Sequence, residues 1–280
     1  MALKNYQKVL FPYSYNILGS SEDAKDVVQD VLTNYFLIDK SHIKNEIGYL
    51  TKSVINQSIN LKKRNAKLKT NEVWLPEAMS TLKPDHDLDV KDILSYSLLV
   101  LFEKLTSKER AVFILKEAFD YSHSEIAAII ETTVENARKI LSRAKGKLAN
   151  RKLTYENIAL KDKKHVMNNY MQVIQEGDME RLEKLLSKDV KLYAEGTDKI
   201  KVVSEYTVGK SEVANILNYV FKKYQNALNI KISEINHQPA LLYFKDNSLV
   251  TCQVFEIDNQ EITAVYSILN PKKIKSISFS

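Results

Sequence analysis

The sequence predicts a multidomain protein with an all-α first half and an α+β second half. Apolar residues recur at the 3.6-residue period of helices up to about residue 150, whereas short, β-branched, alternating segments dominate beyond it. A chain of 280 residues is also longer than one compact core usually organises. Gly (6) and Pro (5) are too scarce for a collagen-like or broadly disordered chain, so we expect both halves to fold.

Two amphipathic helices are predicted in the first 70 residues. The first spans residues 21–36, is capped by Ser20 or Ser21, and has a core face that comprises Ala24, Val27, Val28, Val31, Leu32, Tyr35 and Phe36. The second spans residues 46–64, with Tyr49, Leu50, Ser53 and Ile59 facing the core. Its outward face carries Lys52, Asn56, Asn60 and Lys63.

Residues 93–148 predict further helices, with a break at residues 120–122 and a polar turn at residues 131–133. A helix, a short turn and a second helix, with the small Ala127 near the crossing, are typical of a helix-turn-helix. The second helix of such a motif fits a DNA major groove about 12 Å wide. An ordinary helical hairpin with a basic surface is the alternative interpretation.

Positive charge is concentrated in two stretches of a chain whose net charge is +6. Residues 40–69 hold eight basic residues and one acid, and residues 136–152 hold seven basic residues and no acid. Between them, residues 71–92 hold six acids and two lysines. Because each neutralised phosphate releases counterions, two basic stretches around an acidic one favour two contacts with one polyanion. Taken singly, either stretch is equally well explained as a solvated helix face.

The second half predicts a mainly antiparallel, curved sheet with helices before and within the strand series. Two helices within residues 161–187 break at Gly177 and Asp178, and another helix is expected at residues 211–224. The residues that could line a pocket in this domain are Tyr193, Glu195, Asp198, Tyr206, His237, Tyr243 and Tyr266. No acid–His pair has a diagnostic spacing, so no catalytic residue is predicted and a non-enzymatic protein is expected.

Composition limits the remaining chemistry. A single cysteine, Cys252, excludes an internal disulfide and the usual cysteine cluster of a zinc site, and we expect neither metal nor cofactor. The most apolar run, residues 93–102, is far shorter than the roughly 20 residues that cross a bilayer. Since the opening MALKNYQK also lacks the apolar core of a signal peptide, we expect a cytoplasmic protein with no membrane partner.

Four segments resemble one known family. The segment LTSKERAVFILKEAFDYSHSEIAAIIETTVENARKILSRAKGKL resembles the region 4 helix-turn-helix of bacterial sigma-70-type factors, particularly the extracytoplasmic-function class, and YNILGSSEDAKDVVQDVLTNYF with YLTKSVINQSINLKKR is similar to region 2. The sequence WLPEA at residues 74–78 resembles the linker motif of a subgroup with a fused SnoaL-like domain of the nuclear transport factor 2-like superfold. GDMERLEKLLSKDVKLYAEG and YSILNPKKI look like parts of that fold.

The resemblance implies a domain order and a set of partners. The implied segments are region 2 in residues 1–70, an acidic linker in residues 71–92, region 4 in residues 93–152, a short linker in residues 153–160, and a cone-shaped SnoaL-like domain in residues 161–280. The implied partners are promoter DNA and core RNA polymerase, through the clamp helices of its largest subunit and through its flap. An unidentified small ligand in the C-terminal domain is a further candidate partner.

Site residues follow from this assignment and from their side-chain chemistry. Expected DNA contacts in region 4 are Thr133, Glu135, Asn136, Arg138, Lys139, Ser142, Arg143 and Lys145, and in region 2 they are Lys52, Asn56, Asn60, Lys63 and Arg64, beside a base pocket at residues 41–45. The expected polymerase contacts are Asp26, Gln29 and Asp30. The implied regulatory contact joins Trp74, Leu75, Pro76 and Glu77 to Glu195, Gly196, Thr197, Asp198 and Lys199.

The sequence departs from the family pattern at three places. Glu131 occupies the turn position usually filled by glycine, so we expect a different backbone conformation there. Residues 195–199 read EGTDK where many relatives have a glycine-rich loop, and Asn60 replaces a common aspartate. Two other functions remain open at this point: a SnoaL-like enzyme or sensor with a DNA-binding helical module, and a one-component repressor that uses only the helix-turn-helix.

Overall fold

The computed structural model describes residues 3–66, 74–81, 92–148, 160–195, 206–275 and 277. Two compact units emerge: Met1–Lys69 with Pro84–Thr154, and Thr70–Lys83 with Tyr155–Ser280. The first unit is helical and the second contains one sheet with helices, so the predicted fold class is confirmed. Among the described residues, every helix is too short or too polar to span a membrane.

The first unit consists of seven α-helices and one short 3₁₀ turn within its described residues. They are α1 (Leu3–Leu18), α2 (Ser21–Leu37), α3 (Glu46–Ala66), α4 (Tyr96–Leu101), the 3₁₀ turn (Phe102–Lys104), α5 (Ser107–Glu117), α6 (His123–Ile129) and α7 (Val134–Lys147). Helix α1 has no counterpart in the sequence prediction. It buries Leu10, Phe11 and Tyr15 and packs against α2 and α3, so it forms part of this unit's core.

Helices α2 and α3 follow their predicted patterns except where they meet solvent. Ser20 caps α2, because its hydroxyl accepts a hydrogen bond from the Asp23 backbone N–H at 3.2 Å. Six of the seven predicted core positions of α2 are buried, but Phe36 is 48% exposed. Tyr49, also predicted to face the core, is 41% exposed. Both predictions are wrong: Phe36 lies in the last turn of α2 and Tyr49 in the first turn of α3, where the rings are open to solvent.

Helices α5 and α6 each begin with a reciprocal capping box. The Thr106 hydroxyl accepts from the Glu109 N–H while the Glu109 carboxylate accepts from the Thr106 N–H, and Ser122 and Glu125 form the same pair at α6. These caps fix where each helix starts. Helix α6 and helix α7, joined by a turn at residues 130–133, form the predicted helix-turn-helix.

Within its described residues, the second unit has a six-stranded sheet, four α-helices and one π-helical turn. Its elements are α8 (Leu160–Glu176), α9 (Met179–Leu185), β1 (Leu186–Ala194), β2 (Thr207–Val208), α10 (Lys210–Val220), a π-helical turn (Phe221–Gln225), β3 (Asn229–Ile235), β4 (Gln238–Lys245), β5 (Ser248–Asp258), β6 (Glu261–Ile268) and α11 (Pro271–Ile274). The strand order is β2-β1-β6-β5-β4-β3, and only the described β1–β6 pair is parallel. The alternating sequence IKVVSEYTV at residues 200–208 predicts a strand, and of these positions only residues 206–208 are among those the structure describes.

One face of this sheet carries the core that the helices cover. The core cluster includes Met167, Tyr170, Val173, Leu217, Leu241, Tyr243, Phe255, Ile262 and Val265. Tyr170 from α8 meets Phe255 from β5 edge to face, with ring centroids 5.0 Å apart. Strands β4, β5 and β6 contain runs of consecutive buried residues, so both faces of the sheet are covered along these strands.

Candidate nucleic-acid interface

Helix α7 is the second helix of the helix-turn-helix, and its N-terminus is set by Thr133. The Thr133 hydroxyl accepts from the Asn136 N–H at 3.1 Å, and the Asn136 amide donates to the Thr132 hydroxyl at 2.7 Å. Glu131 in the preceding turn has a φ of 54°, the left-handed region that favours glycine. The glutamate therefore adopts a backbone conformation that glycine takes more readily, and a difference from the family's common conformation stays a prediction.

The solvent face of α7 is strongly basic. Arg138, Lys139, Ser142 and Arg143 are all exposed, while Ala137, Ile140 and Ala144 are buried against the other helices. Glu135 pairs with Lys139 at 2.5 Å along this face. Lys145 instead reaches Glu117 of α5 at 2.8 Å. The face thus offers two arginines to a polyanion, and the pair of Glu135 and Lys139 offers both an acceptor and a donor.

Helix α3 carries the second basic surface, which we call the α3 face: Lys52, Asn56, Asn60, Lys63 and Arg64. Asn60, Lys63 and Arg64 are exposed, whereas Lys52 and Asn56 are partly buried. The Asn56 amide donates to the backbone carbonyl of Ile129 at 2.7 Å, and the Lys52 ammonium lies 3.0 Å from the Glu131 carboxylate. Two of the five predicted DNA-contacting residues are therefore bonded to the helix-turn-helix.

Lys62, counted in the basic stretch of residues 40–69, is not available to a polyanion. Its side chain is about 10% exposed, and its ammonium donates to the Leu18 carbonyl at 3.0 Å and to the Glu103 carboxylate at 2.8 Å. The same carboxylate accepts from Arg110, which is fully buried. Burial lowers the pKa of Arg110, and the nearby Glu103 carboxylate acts in the opposite direction. This cluster is structural.

The turn between α2 and α3 presents aromatic and aliphatic side chains beside the predicted base pocket. Phe36, Leu37, Ile38 and Tyr49 are 40–80% exposed. The Lys40 ammonium lies 4.5 Å from the centre of the Tyr35 ring and 4.8 Å from that of Phe36. A hydrogen bond to Glu46 raises the pKa of Tyr35 to about 12. Sequence reasoning missed this apolar surface because the helical period assigned Phe36 and Tyr49 to the core.

A groove of about 490 Å³ separates α2 from α3. It is lined by Asp23, Asp26, Val27 and Asp30 from α2 and by Gln57, Asn60, Leu61 and Arg64 from α3. Two of the three predicted polymerase contacts, Asp26 and Asp30, line it, and Gln29 does not. Burial, with the neighbouring Asp26 and Glu22 carboxylates, raises the pKa of Asp23. The groove therefore has one strongly acidic wall that suits a basic partner.

In the second unit, residues 74–81, here called the linker segment, pack with the C-terminal domain. The Lys273 ammonium donates to the Leu75 carbonyl at 2.5 Å and to the Glu195 carboxylate, and it lies 4.5 Å from the centre of the Trp74 ring. Pro76 is buried and Glu77 is partly exposed. Lys273 thus brings Trp74, Leu75 and Glu195 together, although sequence reasoning did not select it. Gly196, Thr197, Asp198 and Lys199 lie outside the described residues.

The far end of the linker segment pairs with the turn between β3 and β4. The Met79 N–H donates to the Asn236 side-chain oxygen at 2.9 Å, and the Asn236 N–H donates back to the Met79 carbonyl at 2.9 Å. The Thr81 N–H donates to the Glu234 carbonyl at 3.1 Å, and the Thr81 hydroxyl donates to the Glu234 carboxylate at 2.7 Å. The linker segment extends the edge of the sheet by this short pairing.

Of the candidate pocket residues of the C-terminal domain, Tyr193, Tyr206 and Tyr266 form one ring cluster, and the contacts of Tyr243 and His237 are with other groups. Tyr243 is buried and donates to the Gln253 side chain at 2.6 Å, whereas Tyr193 stacks on Tyr266 and lies beside Tyr206. His237 lies in the β3–β4 turn, where its backbone N–H donates to the Thr81 hydroxyl at 3.0 Å. Asp198 is outside the described residues, and within the described residues no group of His, Cys, Asp and Glu could hold a metal ion.

Comparisons with known proteins agree with this geometry. Residues 95–148 match the family model described as "Sigma-70, region 4". The chain is 19% identical over 280 residues to the "Probable ECF RNA polymerase sigma factor SigI" of Mycobacterium tuberculosis, covering 98% of this chain and 93% of that protein. It is 23% identical over 227 residues to the "ECF RNA polymerase sigma factor SigJ" of the same organism, covering 77% and 70%. The crystal structure of M. tuberculosis SigJ superposes with a TM-score of 0.76 at 20% identity, covering 99% of this chain and 98% of that one.

Proposed function

We propose that this chain, an extracytoplasmic-function sigma factor with a fused SnoaL-like domain, directs core RNA polymerase to specific promoters and is regulated in cis by that domain. The observation that carries the proposal is the exposed basic face of α7 within a helix-turn-helix that matches sigma-70 region 4. A sigma factor acts with polymerase on chromosomal promoters, so the protein works in the bacterial cytoplasm and has no catalytic role of its own.

Promoter reading is assigned to α7. Glu135, Asn136, Arg138 and Lys139 lie in its first two turns, where a recognition helix contacts base edges. Arg143 is one turn further and suits a phosphate. Loss of a side chain that contacts a base costs about 1–3 kcal/mol and relaxes specificity, whereas loss of a phosphate contact weakens binding to all sequences alike.

The melted strand is assigned to the α3 face and the adjoining exposed apolar surface. In this proposal the phosphates of the strand pair with the exposed cations Lys63 and Arg64, and an unstacked base stacks on the ring of Phe36 or Tyr49. Base stacking on an aromatic side chain is worth about 1–3 kcal/mol per base. Removing either ring is therefore expected to impair promoter opening more than duplex binding.

Polymerase binding is assigned to the acidic wall of the α2–α3 groove. Asp26 and Asp30 point into the groove and suit arginine or lysine side chains of the clamp helices. Gln29 lies outside the groove lining on the same helix. The bonds from Lys273 and Asn236 to the linker segment support regulation in cis, because they tie the segment that joins regions 2 and 4 to the C-terminal domain.

The experiment is transcription in vitro with purified core polymerase and a fragmented genomic template, comparing the full chain with a chain that ends after residue 154. Promoter-specific transcripts that need the added protein are the expected result. Arg138→Ala should weaken transcription from those promoters, whereas Lys188→Ala, which removes an exposed charge from β1, should not.

Two outcomes would contradict the proposal. If the protein protects DNA from cleavage without polymerase and never supports initiation, it is a one-component repressor. If no transcript appears with either chain, the sigma assignment fails. An enzyme of the SnoaL-like type is the less favoured candidate, because the tyrosine cluster of Tyr193, Tyr206 and Tyr266 contains no described histidine and His237 lies in the β3–β4 turn.

A further inference from the structure

We propose that the turn of the helix-turn-helix competes with DNA for helix α3. In the free protein, the Glu131 carboxylate pairs with the Lys52 ammonium and the Ile129 carbonyl accepts a hydrogen bond from the Asn56 amide. Lys52 and Asn56 both belong to the α3 face. We call this contact the clasp. The inference rests on the proposed function, because it takes the α3 face to be a DNA-binding surface.

The clasp consists of acceptors that resemble those of a nucleic acid. The Glu131 carboxylate gives Lys52 an anionic oxygen at 3.0 Å, as a phosphate would. The Ile129 carbonyl accepts from the Asn56 amide at 2.7 Å, as the acceptor on a base edge would. Both N–H groups of the Asn56 amide are engaged, one by the Ile129 carbonyl and one by the Lys52 carbonyl at 3.1 Å, so the Ile129 bond has to break before that amide donates to DNA. The Lys52 ammonium keeps further N–H donors, but the Glu131 carboxylate offsets its charge and repels an approaching phosphate.

The position of Glu131 makes this contact specific to its side chain. Its φ of 54° is sparsely populated for a residue with a Cβ, and a glycine would adopt it without strain. A glycine would, however, carry no carboxylate to Lys52. The glutamate therefore places its charge against α3 from the tip of the turn, where its side chain is 74% exposed.

The clasp lies at the rim of a larger contact within the first unit. Lys62 and Arg110 share the Glu103 carboxylate, and the buried Asn16 side chain bonds to the Asp92 carbonyl and the Leu94 N–H. These buried bonds hold region 2 against the start of region 4. Because Asn60, Lys63 and Arg64 remain exposed, the clasp should weaken DNA binding by the free protein without abolishing it.

The test measures how tightly the full chain binds DNA without polymerase. The probe is a fluorescent single-stranded oligonucleotide of about twenty mixed-sequence nucleotides at low salt, followed by anisotropy. Glu131→Gly and Glu131→Gln should each bind about three- to fivefold more tightly than wild type, the upper range for an exposed ion pair. The glutamine variant keeps the side-chain length and guards against a folding defect in the glycine variant.

Asp120→Gly is the matched control. Asp120, in the loop after α5, also has a positive φ, 52°, is exposed, and pairs with Lys116 of α5 rather than with α3. The change thus removes the same charge and relieves the same backbone strain, and binding should stay at the wild-type value. The proposal is overturned if the Glu131 variants match wild type or if Asp120→Gly tightens binding equally. If the wild type also fails to start transcription with core polymerase, the proposed function itself has failed.

Discussion

Replacing Lys273 with methionine should release the linker segment from the C-terminal domain. The Lys273 ammonium donates to the Leu75 carbonyl and the Glu195 carboxylate and lies over the Trp74 ring. Methionine keeps most of the aliphatic stem but removes every one of these polar contacts. The Glu195 carboxylate, about 10% exposed, then loses its ammonium partner while it stays largely shielded from water.

The expected loss of stability is about 2–4 kcal/mol. Removing one partner of a fully buried ion pair costs roughly 3–5 kcal/mol, because it leaves a charge without compensation in a poorly solvated place. Both side chains here are about 10% exposed, so partial screening by solvent lowers the expected cost to about 2–4 kcal/mol. With a urea dependence of about 2 kcal/mol per molar, the unfolding midpoint should fall by about 1–2 M.

Trp74 is the only tryptophan in the chain, so its fluorescence reports on the linker segment directly. In Lys273→Met the emission should shift to longer wavelength in native buffer, and its urea transition should precede the loss of sheet structure seen by circular dichroism. Lys272→Met changes the neighbouring, exposed lysine of the same helix and should behave as wild type. Equal emission and equal midpoints for the two variants would refute the assigned role of Lys273.

Two further substitutions, one in each unit, test individual contacts. Glu109→Gln should lower the free energy of unfolding by about 0.5–1 kcal/mol in urea titrations at pH 7, because the carboxylate that accepts from Lys147 at 2.7 Å is lost. Burial raises the Glu109 pKa, but hydrogen bonds from Lys147 and Thr106 outweigh it and leave the pKa below its ordinary value. The stabilising contribution of the carboxylate is present above the unfolded pKa and is lost as the pH falls through the folded one, so the stabilities of wild type and variant should converge in acid. Asn236→Gly keeps a backbone that tolerates the φ of 48° but removes the acceptor for the Met79 N–H, so hydrogen exchange of that amide should speed up about five- to tenfold. Asn247→Gly, in the next hairpin turn at a φ of 62°, should leave the Met79 amide unchanged, and equal acceleration in both variants would argue against the Asn236 bond.

The helices were predictable because their apolar positions recur over several turns. Helix α2 shows this clearly: its period and its serine cap fixed both the face and the start. Helix α1 was not predicted, because Pro12 interrupts its sequence and its aromatic residues do not define one narrow face. The alternating, β-branched segments of the second half predicted strands there, but the connections between β3 and β6 carry no glycine. Each connection places two residues at positive φ, among them Asn236 and Asn247, as two-residue hairpin turns require.

The candidate sites were predictable where a residue faces solvent and not where burial changes its role. Lys62 and Lys63 are consecutive lysines, yet the Lys62 ammonium forms a largely buried ion pair with Glu103 of the first unit whereas Lys63 is exposed. Lys272 and Lys273 repeat the contrast in the second unit. A lysine whose carbonyl and carboxylate partners lie 40 to 200 residues away leaves no local pattern, so only the fold distinguishes a basic patch from a buried ion pair.

The linker segment shows why cutting the chain is a blunt test of regulation. It lies between two helical regions in sequence but packs with the C-terminal domain, where Leu75, Ala78 and Met79 are buried. Eight extended residues have no period that would reveal this. Removing the domain therefore has two effects: it exposes three apolar side chains to water, and it removes any regulatory contact. Transcription by the shortened chain reports the sum of these two effects. Lys273→Met in the full chain loosens the linker segment while the C-terminal domain stays in place. A change in transcription that the Lys273→Met chain shares with the shortened chain would therefore be due to loss of the contact between the linker segment and the domain.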